Sequence, residues 1–282
     1  MSKVAIVTDS TAYLPQNIVE QYHITVSPQI LIWDQEIFQD GVDIQPVEFY
    51  KRLKTAKVMP TSSQVAIPTF KTIFGNLIDQ GYAVLAILIS AKLSGTVDSA
   101  VQARNDYPQA PIEIVDSLTT CLELGWHVLA AARAAAAGAS LDECKAIAEE
   151  AKKHTHIYIT FETLEFLHRG GRIGSAQRFL GTALNLKPIL DIRNGLLEPI
   201  ERVRTRGKAL NRLIELVEES VAGKQPVRLA CMHANSETEA RALLTQAESR
   251  IHPVETMLGD VSPVIGTHAG PGTIGLAYMA EM

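Results

Sequence analysis

The chain has 282 residues, of which 46% are hydrophobic and 20% are charged, a globular composition that excludes general disorder. The net charge is −5, and no block of Lys or Arg runs along the sequence, which argues against a binder of nucleic acid or of anionic membranes. The three cysteines, Cys121, Cys144 and Cys231, form no CxxC pair and indicate thiols of a reducing compartment rather than a structural zinc site. The longest apolar run, Tyr82–Ile89, is too short to span a bilayer, and the N-terminus does not resemble a signal peptide. We therefore expect a cytoplasmic protein without stable membrane insertion.

The first half of the sequence predicts a parallel α/β arrangement. Three compact apolar runs without alternation, Val4–Val7, Tyr82–Ile89 and Ile112–Val115, are typical of strands buried on both faces. A capping box at Ser140–Glu143 opens a helix that extends to about His154. This alternation favours a mostly parallel sheet with helices on both faces. The other predicted helices are Pro15–Gln21, Val47–Leu53, Pro68–Asp79, Thr96–Tyr107 and Thr120–Ala137.

After Thr155 the pattern changes to one that favours a mainly antiparallel sheet with helices on one side. We therefore predict an α/β fold of two domains, an α/β domain of residues 1–154 and an α+β domain of residues 155–282. The predicted elements are a strand at Ile157–Phe161, a helix ending at Gly170-Gly171, a helix at Ser175–Asn185, a hairpin of Ile189–Ile192 and Leu197–Val203 around Asn194-Gly195, a helix near Gly207–Ala222, a strand at Val227–Met232, a second capping box at Ser236–Glu239, and strands at Val254–Met257 and Val264–Thr267.

Small hydroxyl and acidic residues follow each of the three parallel strands. The first strand runs into Thr8–Thr11, the second into Ser90–Thr96 and the third into Asp116–Thr119. Ligands of open parallel sheets bind outside the carboxyl ends of the strands, so the three loops can converge on one crevice. The same residue types also cap helices, and that alternative stays open. Ser94-Gly95 is the most specific of these motifs, because a hydroxyl and free N–H groups at a helix N-terminus suit a carboxylate or a phosphate.

Three further segments carry polar groups with two possible roles each. Pro60–Gln64 holds four hydrogen-bonding side chains in a row, as a binding segment or as a plain loop. His268 lies within the glycine-rich Gly266–Gly275, which is not a dinucleotide fingerprint because too little chain follows it. These glycines instead let the backbone pass close to another group. Arg172 follows Gly170-Gly171, a natural helix end, and is either a partner for an anion or a surface charge.

Seven of these motifs occur in one order and cover the chain from residue 4 to about residue 278. They are Thr8–Ala12 with Leu14-Pro15, Pro60–Gln64, Leu93–Thr96, Val115–Ser117, Gly170–Gly174, Lys187–Leu190 and His268–Gly272. Each is unspecific alone, but together they resemble the DegV family of bacterial fatty-acid-binding proteins. The resemblance implies that the chain holds a long-chain fatty acid in a tunnel between two domains. It further implies that a separate ATP-dependent fatty acid kinase phosphorylates the bound carboxyl group, so that the acyl-phosphate enters phospholipid synthesis.

The resemblance also implies roles for particular residues. A hydroxyl pair, a helix N-terminus and a histidine motif hold the fatty-acid carboxylate, Arg172 lies on the side of the partner and the phosphoryl group, and Asp9 and Ser10 support the site. The residues that match the carboxylate-binding set are Thr61, Ser62, Ser94, Gly95, His268 and Gly270.

The chain departs from the family pattern at two places. Tyr13 stands where many members carry Asp, and Val97-Asp98 stands where an aromatic residue and Gln are common. These departures leave the carboxylate-binding set intact and bear on the choice of acyl chain. The apolar candidates for the acyl tail, each of which also suits an ordinary core, are Ile30, Ile32, Phe161, Leu164, Leu184 and Ile265.

The leading interpretation is a lipid-binding subunit without catalysis of its own, without a cofactor other than the bound fatty acid, without a metal, and without a nucleic-acid partner. An alternative is a hydrolase or acyltransferase in which Ser94 is the nucleophile, His268 the base and Asp9 the orienting acid. A second alternative is a phosphate or nucleotide binder at the strand ends. The sequence has neither a strained nucleophile turn nor a glycine-rich phosphate loop, which counts against both.

Overall fold

A computed structural model describes residues 3–180 and 186–282, which form three β-sheets. The elements of the first half are β1 (Val4–Asp9), a 3-10 turn (Ser10–Ala12), α1 (Gln16–Gln21), β2 (Thr25–Ser27), β3 (Ile30–Trp33), β4 (Glu36–Gln39), α2 (Pro46–Leu53), β5 (Thr61–Ser63), α3 (Ile67–Asp79), β6 (Ala83–Leu88), α4 (Thr96–Arg104), β7 (Ile112–Asp116), α5 (Cys121–Ala136) and α6 (Leu141–His154). Those of the second half are β8 (Thr155–Thr160), α7 (Glu165–Arg169), a 3-10 helix (Gly174–Phe179), β9 (Lys187–Arg193), β10 (Leu196–Val203), α8 (Arg206–Val221), β11 (Val227–His233), α9 (Glu237–Ile251), β12 (Glu255–Asp260), α10 (Pro263–Ala269) and β13 (Ile274–Ala280).

The predicted parallel sheet is confirmed. Its strand order is β2-β1-β6-β7, and all neighbouring strands are parallel. Every residue of β6 is buried, as expected for a strand covered on both faces. Because the strands are parallel, the carboxyl ends of β1, β6 and β7 lie at one edge, where the three polar loops begin. The capping box of α6 is also confirmed: the Ser140 hydroxyl accepts from Glu143 N–H, and the Glu143 carboxylate accepts from Ser140 N–H.

A small antiparallel sheet of order β4-β3-β5 was not predicted from the sequence. Its strands are three or four residues long, too short for a periodic signal. Strand β3 does alternate in burial, since Leu31 and Trp33 are buried while Ile32 is exposed. Strand β5 lies within the hydroxyl-rich segment 60–64, which is therefore the edge of a sheet and not a plain loop.

The third sheet has the order β10-β9-β8-β13-β11-β12, with β11 and β12 parallel and the other neighbours antiparallel. This confirms the mainly antiparallel second half. The predicted hairpin is β9–β10, and Asn194 and Gly195 both have positive φ, as a two-residue primed turn requires. Helices α8 and α9 cover one face, and α5 and α6 from the first half contact the other. Helices therefore cover both faces, where the sequence suggested one.

Helix α5 lies between the parallel sheet and the six-stranded sheet and contacts both. Its Leu122, Trp126 and Leu129 are buried in one core with residues of β6 and of β8. The alanines that follow in α5 leave room for two sheets to approach one helix. The chain enters the six-stranded sheet between His154 and Thr155, and the division into domains 1–154 and 155–282 stays a prediction because the two halves share this core.

Three sequence predictions need correction or restriction. Residues 264–267 were predicted as a strand but belong to α10, because Ser262 caps a helix whose first residue is Pro263. The expected capping box at the start of α9 does not form, since the Ser236 hydroxyl donates to Ala234 O. Of the predicted helix at residues 175–185, residues 175–179 belong to the 3-10 helix, and residues 181–185 lie outside the described residues.

Candidate functional site

A cavity of about 870 Å³, its open mouth included, lies between the two large sheets. Residues from β5, β8, β10, β11, α10 and the loops after β6 and β7 border it, so it depends on both halves of the chain. The apolar residues of the lining are Ile89, Leu93, Cys121, Ile159, Phe161, Leu167, Ile192, Leu197, Met232, Val261, Val264, Ile265 and Ala269.

Polar side chains from four segments are brought together at this cavity. Ser62 Oγ on β5 lies 2.6 Å from His268 Nε2 on α10. Ser94 Oγ lies 2.9 Å from Thr96 Oγ1 at the start of α4. Arg172, which follows α7, borders the same cavity. The sequence-predicted hydroxyls, histidine and arginine therefore form one polar cluster on an otherwise mainly apolar cavity.

His268 is held in a neutral, buried state. Burial, together with the nearby Arg172 guanidinium, lowers the pKa of His268 to about 4. Its Nδ1 is buried without a hydrogen-bond partner among residues 3–180 and 186–282. Gly170 packs against this nitrogen, and a methyl group at residue 170 would overlap it. The first glycine of the pair thus does more than end α7, because it leaves the space that the imidazole ring occupies.

Arg172 connects two edges of the cavity. Its Nε donates to Leu93 O at 3.2 Å, in the loop after β6, and its Nη1 donates to Gly170 O at 2.8 Å. These two bonds fix a half-buried guanidinium beside His268 and Ser94. Arg172 is therefore not a freely solvated surface charge, and its role as a partner for an anion stays a prediction.

Gly95 is the N-cap residue of α4 and packs closely against Gln64. A Cβ atom at residue 95 would lie 2.9 Å from the Gln64 amide nitrogen. Gln64 and Gly95 both border the cavity, so the hydroxyl-rich segment and the start of α4 meet there. The absence of a side chain at residue 95 allows this close approach and leaves the helix N-terminus accessible from the cavity.

Two residues of the predicted carboxylate-binding set are placed elsewhere. Thr61 is exposed and does not border the cavity, whereas the next two residues of β5, Ser62 and Ser63, both border it. Gly270 ends α10 with φ of +76° and lies against Phe166, whose ring a side chain at residue 270 would overlap. Gly270 therefore shapes the chain after His268 and does not contact the cavity.

Asp9 and Ser10 form a buried network beside the cavity rather than its wall. Asp9 accepts hydrogen bonds from Ile89 N, from Thr11 N and its hydroxyl, and from the Gln29 side chain. Burial raises the pKa of Asp9, and these donors oppose the shift. Ser10 donates to Asp40 at 2.6 Å, and Gln29 in turn borders the cavity. Asp9 thus contacts two residues that border the cavity, Gln29 and Ile89, and the supporting role of Asp9 and Ser10 stays a prediction.

The triad expected for a hydrolase is not assembled. His268 Nε2 contacts Ser62 rather than Ser94, whose hydroxyl pairs with Thr96. The Asp9 carboxylate is bonded to Ile89, Thr11 and Gln29, not to the imidazole. Ser94, His268 and Asp9 thus do not have the mutual contacts that nucleophilic catalysis requires.

Comparison with known proteins decides the family. The family model described as "Uncharacterised protein, DegV family" matches residues 3–281. Protein DegV of Bacillus subtilis is 35% identical over 277 residues, which cover 98% of each chain. This chain belongs to the DegV family. Its fold agrees with solved structures of a DegV family protein from Thermus thermophilus, described by its fatty acid binding (32% identity, TM-score 0.93, 99% of each chain), and of DegV from Bacillus subtilis, a fatty acid binding protein (34% identity, TM-score 0.90, 100% of each chain).

Some cavity residues of this DegV protein were not predicted from the sequence. Gln29, Thr120 and Met232 border the cavity, and their local sequence carries no signal beyond an N-cap hydroxyl at Thr120. Of the apolar tail candidates, Phe161 and Ile265 border it. The others that the structure describes, Ile30, Ile32 and Leu164, do not, and Leu184 lies outside the described residues.

The described residues contain neither a membrane-spanning helix nor a cluster of metal ligands. Within residues 3–180 and 186–282, no helix combines the length and the apolar character needed to cross a bilayer. In the same part of the chain, no group of three or more His, Cys, Asp or Glu side chains is arranged to hold a metal ion.

The contact between Gly170 and His268 predicts the effect of Gly170→Ala. The added methyl group displaces the imidazole from its buried position, so the pKa of His268 should rise from about 4 toward its ordinary value of 6.5. NMR titration of the histidine ring signals measures this shift. Gly207→Ala is the control, since its methyl group meets nothing within 4 Å and should leave His268 at about 4. An unchanged pKa in Gly170→Ala would contradict the packing described above.

The Asp9 network predicts a loss of stability for Asp9→Ala. The substitution leaves the buried donors of Ile89, Thr11 and Gln29 without an acceptor, which should lower the free energy of unfolding by about 3 kcal/mol. Urea unfolding followed by circular dichroism measures the difference. Asp79→Ala, at an exposed position of α3, should change stability by less than about 0.5 kcal/mol. Equal stability of the two variants would show that the network does not hold the strand ends.

Proposed function

We propose that this DegV protein binds a long-chain fatty acid in the cavity between its large sheets. The carboxylate lies at Ser62, Ser94, Gly95 and His268, and the acyl tail lies along the apolar lining. The protein then presents the carboxyl group, in the cytoplasm, to a separate ATP-dependent fatty acid kinase. A carboxylate oxygen attacks the terminal phosphorus of ATP, so that acyl-phosphate and ADP form, and the acyl-phosphate feeds phospholipid synthesis.

The observation that carries the proposal is a mainly apolar cavity with one cluster of hydroxyl, imidazole and guanidinium groups. A fatty acid has the same division into a long apolar chain and one polar end. Each buried CH₂ group contributes about 0.8 kcal/mol to binding, so the lining can hold a long chain firmly. The relatives from Thermus thermophilus and Bacillus subtilis, described by fatty acid binding, support the same ligand class.

The polar cluster suits an ionised carboxylate. Ser62 and Ser94 can each donate a hydroxyl hydrogen bond to the carboxylate. Neutral His268 can donate from Nε2 to the Ser62 oxygen, which leaves the Ser62 hydroxyl hydrogen for the carboxylate. The N-terminus of the nine-residue α4 adds positive partial charge at Gly95. The Arg172 guanidinium supplies the balancing full charge from the edge of the cavity. A buried carboxylate that keeps such partners avoids much of its desolvation cost.

The geometry supports binding and presentation rather than catalysis by the chain alone. Ser62 and His268 are close enough for a nucleophile and a base, but in the part of the chain that the structure describes no carboxylate bonds to His268 Nδ1 to orient the ring. Arg172 holds two carbonyl groups through Nε and Nη1, and Nη2 can face a phosphoryl group that develops on the carboxylate. We place the kinase contact on this side of the cavity.

The first test is the lipid that the protein carries. Protein purified gently from bacteria should yield a fatty acid in near one-to-one ratio when it is denatured and extracted for mass spectrometry. Ser62→Ala and Ser94→Ala each remove a hydrogen bond to a charged group, about 1.5–3 kcal/mol, and should lower fatty-acid affinity about tenfold or more. Thr61→Ala is the matched control, because Thr61 is the exposed neighbour of Ser62.

Three results of that test would count against the proposal. Extraction of a nucleotide, or of no ligand, would contradict the fatty-acid site. Unchanged affinity in both serine variants would contradict the carboxylate position. A loss in Thr61→Ala equal to that in Ser62→Ala would restore the family-based role of Thr61 and contradict the placement that the structure gives it.

The second test separates binding from transfer. Arg172→Ala should keep most fatty-acid affinity but lower acyl-phosphate production with a cognate kinase by more than about tenfold, because the developing phosphate loses its cation. His268→Ala should damage both. The measurement is ATP-dependent acyl-phosphate formation at saturating fatty acid, beside direct lipid binding. The control is Arg169→Ala, since Arg169 is exposed and paired with Glu165.

Full kinase turnover with Arg172→Ala would show that this arginine serves the fold of the loop and not the transfer. A loss of turnover in Arg169→Ala as large as that in Arg172→Ala would show that the effect belongs to the surface charge of the whole segment.

A further inference from the structure

A methionine, Met232 on β11, borders the cavity and is 2% exposed. We propose that Met232, which lies on Gly275 of β13, sets the length of acyl chain that the cavity accepts. This inference rests on the proposed fatty-acid function and identifies a residue that determines its chain-length specificity.

Met232 belongs to a row of neighbouring residues that crosses the six-stranded sheet. Gly275 is paired with Met232 on one side and with Ile159 of β8 on the other. Met232 and Ile159 border the cavity, whereas Gly275, which has no side chain, does not. The sheet therefore has a hollow between β8 and β11, at the position of Gly275.

The contacts of Gly275 show that Met232 fills this hollow. A Cβ atom at residue 275 would lie 2.5 Å from Met232 Cε and 3.2 Å from Met232 Cγ. The Met232 side chain therefore lies across β13. Methionine is unbranched and has three rotatable side-chain bonds, so it can leave the hollow when another apolar group takes its place.

The row is closed beyond Met232. Its next residue is Gly259 of β12, and a Cβ atom there would lie 3.3 Å from Leu122 Cδ1. Leu122 is 1% exposed and belongs to the core around α5. In the described part of the chain, no residue of β12 borders the cavity. Met232 is thus the last side chain of the row before the closed core.

The polar cluster lies on other elements than Met232. Ser62, Ser94, Arg172 and His268 belong to β5, to the loop before α4, to the segment after α7 and to α10. Strands β8 and β11 are separated by β13, a distance of about 10 Å across the sheet. A chain that begins at the polar cluster and crosses below β8 therefore meets Met232 with its tail.

The experiment compares palmitate, stearate and arachidate, each of which is two CH₂ groups longer than the one before. Their affinities for the delipidated full-length protein are measured by displacement of a fluorescent fatty acid. Met232→Ala removes Cγ, Sδ and Cε and should raise the ratio of arachidate to palmitate affinity about tenfold or more, since each CH₂ group that gains room contributes about fourfold.

Gly275→Ala should have the opposite effect. The added methyl group fills the hollow and displaces the free end of Met232 into the cavity, which should lower the same ratio about tenfold or more. The double variant Met232→Ala/Gly275→Ala should return to within about threefold of the wild-type ratio, because no methionine is left to be displaced. Gly207→Ala is the control, since its methyl group meets nothing within 4 Å.

A second measurement needs no variant with an altered cavity. The ε-methyl NMR signal of Met232 in the wild-type protein should differ between the palmitate and stearate complexes, because the longer tail reaches this side chain. Met257 is the internal control, since it is buried but does not border the cavity, and its signal should be the same in both complexes.

Four results would decide against these expectations. An unchanged affinity ratio in Met232→Ala, or a Met232 signal that is the same in both complexes, would overturn the inference. A lowered ratio in Gly275→Ala that persists in the double variant would place the effect on β13 itself and would also overturn it. If the wild-type protein binds none of the three acids, the proposed fatty-acid function itself fails.

Discussion

The contact between Ser62 and His268 joins two side chains that are 206 positions apart in the sequence. Ser62 belongs to a three-residue edge strand and His268 to a seven-residue helix, neither of which is stable alone. Both elements are held by the shared core around α5, which fixes the distance between the parallel sheet and the six-stranded sheet. The polar cluster therefore exists when the two halves are packed together.

The two basic side chains of this site differ in charge: the His268 imidazole is neutral, and the Arg172 guanidinium is positively charged. Burial keeps the imidazole of His268 neutral at physiological pH, and Arg172 reinforces this by its own positive charge. The permanent charge thus lies on a side chain bonded to two carbonyl groups at the edge of the cavity, while neutral donors line the position of the carboxylate. An arrangement of this kind can bind an anion without a buried ion pair. It also leaves the guanidinium at the edge of the cavity, where the proposed function requires a cation as phosphoryl charge develops.

Long, strongly patterned elements could be predicted from the sequence, and short ones could not. The buried strand β6, the capped helix α6 and the Asn194-Gly195 hairpin each carry a local physical signal that tertiary packing does not override. Helix α10 was predicted as a strand because its apolar residues are few, although Ser262-Pro263 is a helix start. The family motifs name segments that the structure brings to one cavity, but they do not fix the orientation of each side chain. Thr61 and Ser62 are equivalent as residue types, and only the packing of β5 in the folded chain leaves Thr61 exposed while Ser62 and Ser63 border the cavity.

At two helix starts, those of α5 and α9, the hydroxyl of the N-cap residue does not bond to the backbone of the first turn of the helix. At the start of α9, Ser236 is half-buried beside exposed residues and bonds to a neighbouring carbonyl, and water can satisfy the helix end. At the start of α5, Thr120 is almost fully buried, and its side chain bonds to the neighbouring Cys121 thiol instead of the backbone of the first turn. The sequence signal is the same in both places, a hydroxyl residue before a helix. In each place the hydroxyl has a local partner, so this signal predicts where the helix starts but not which group the side chain bonds to.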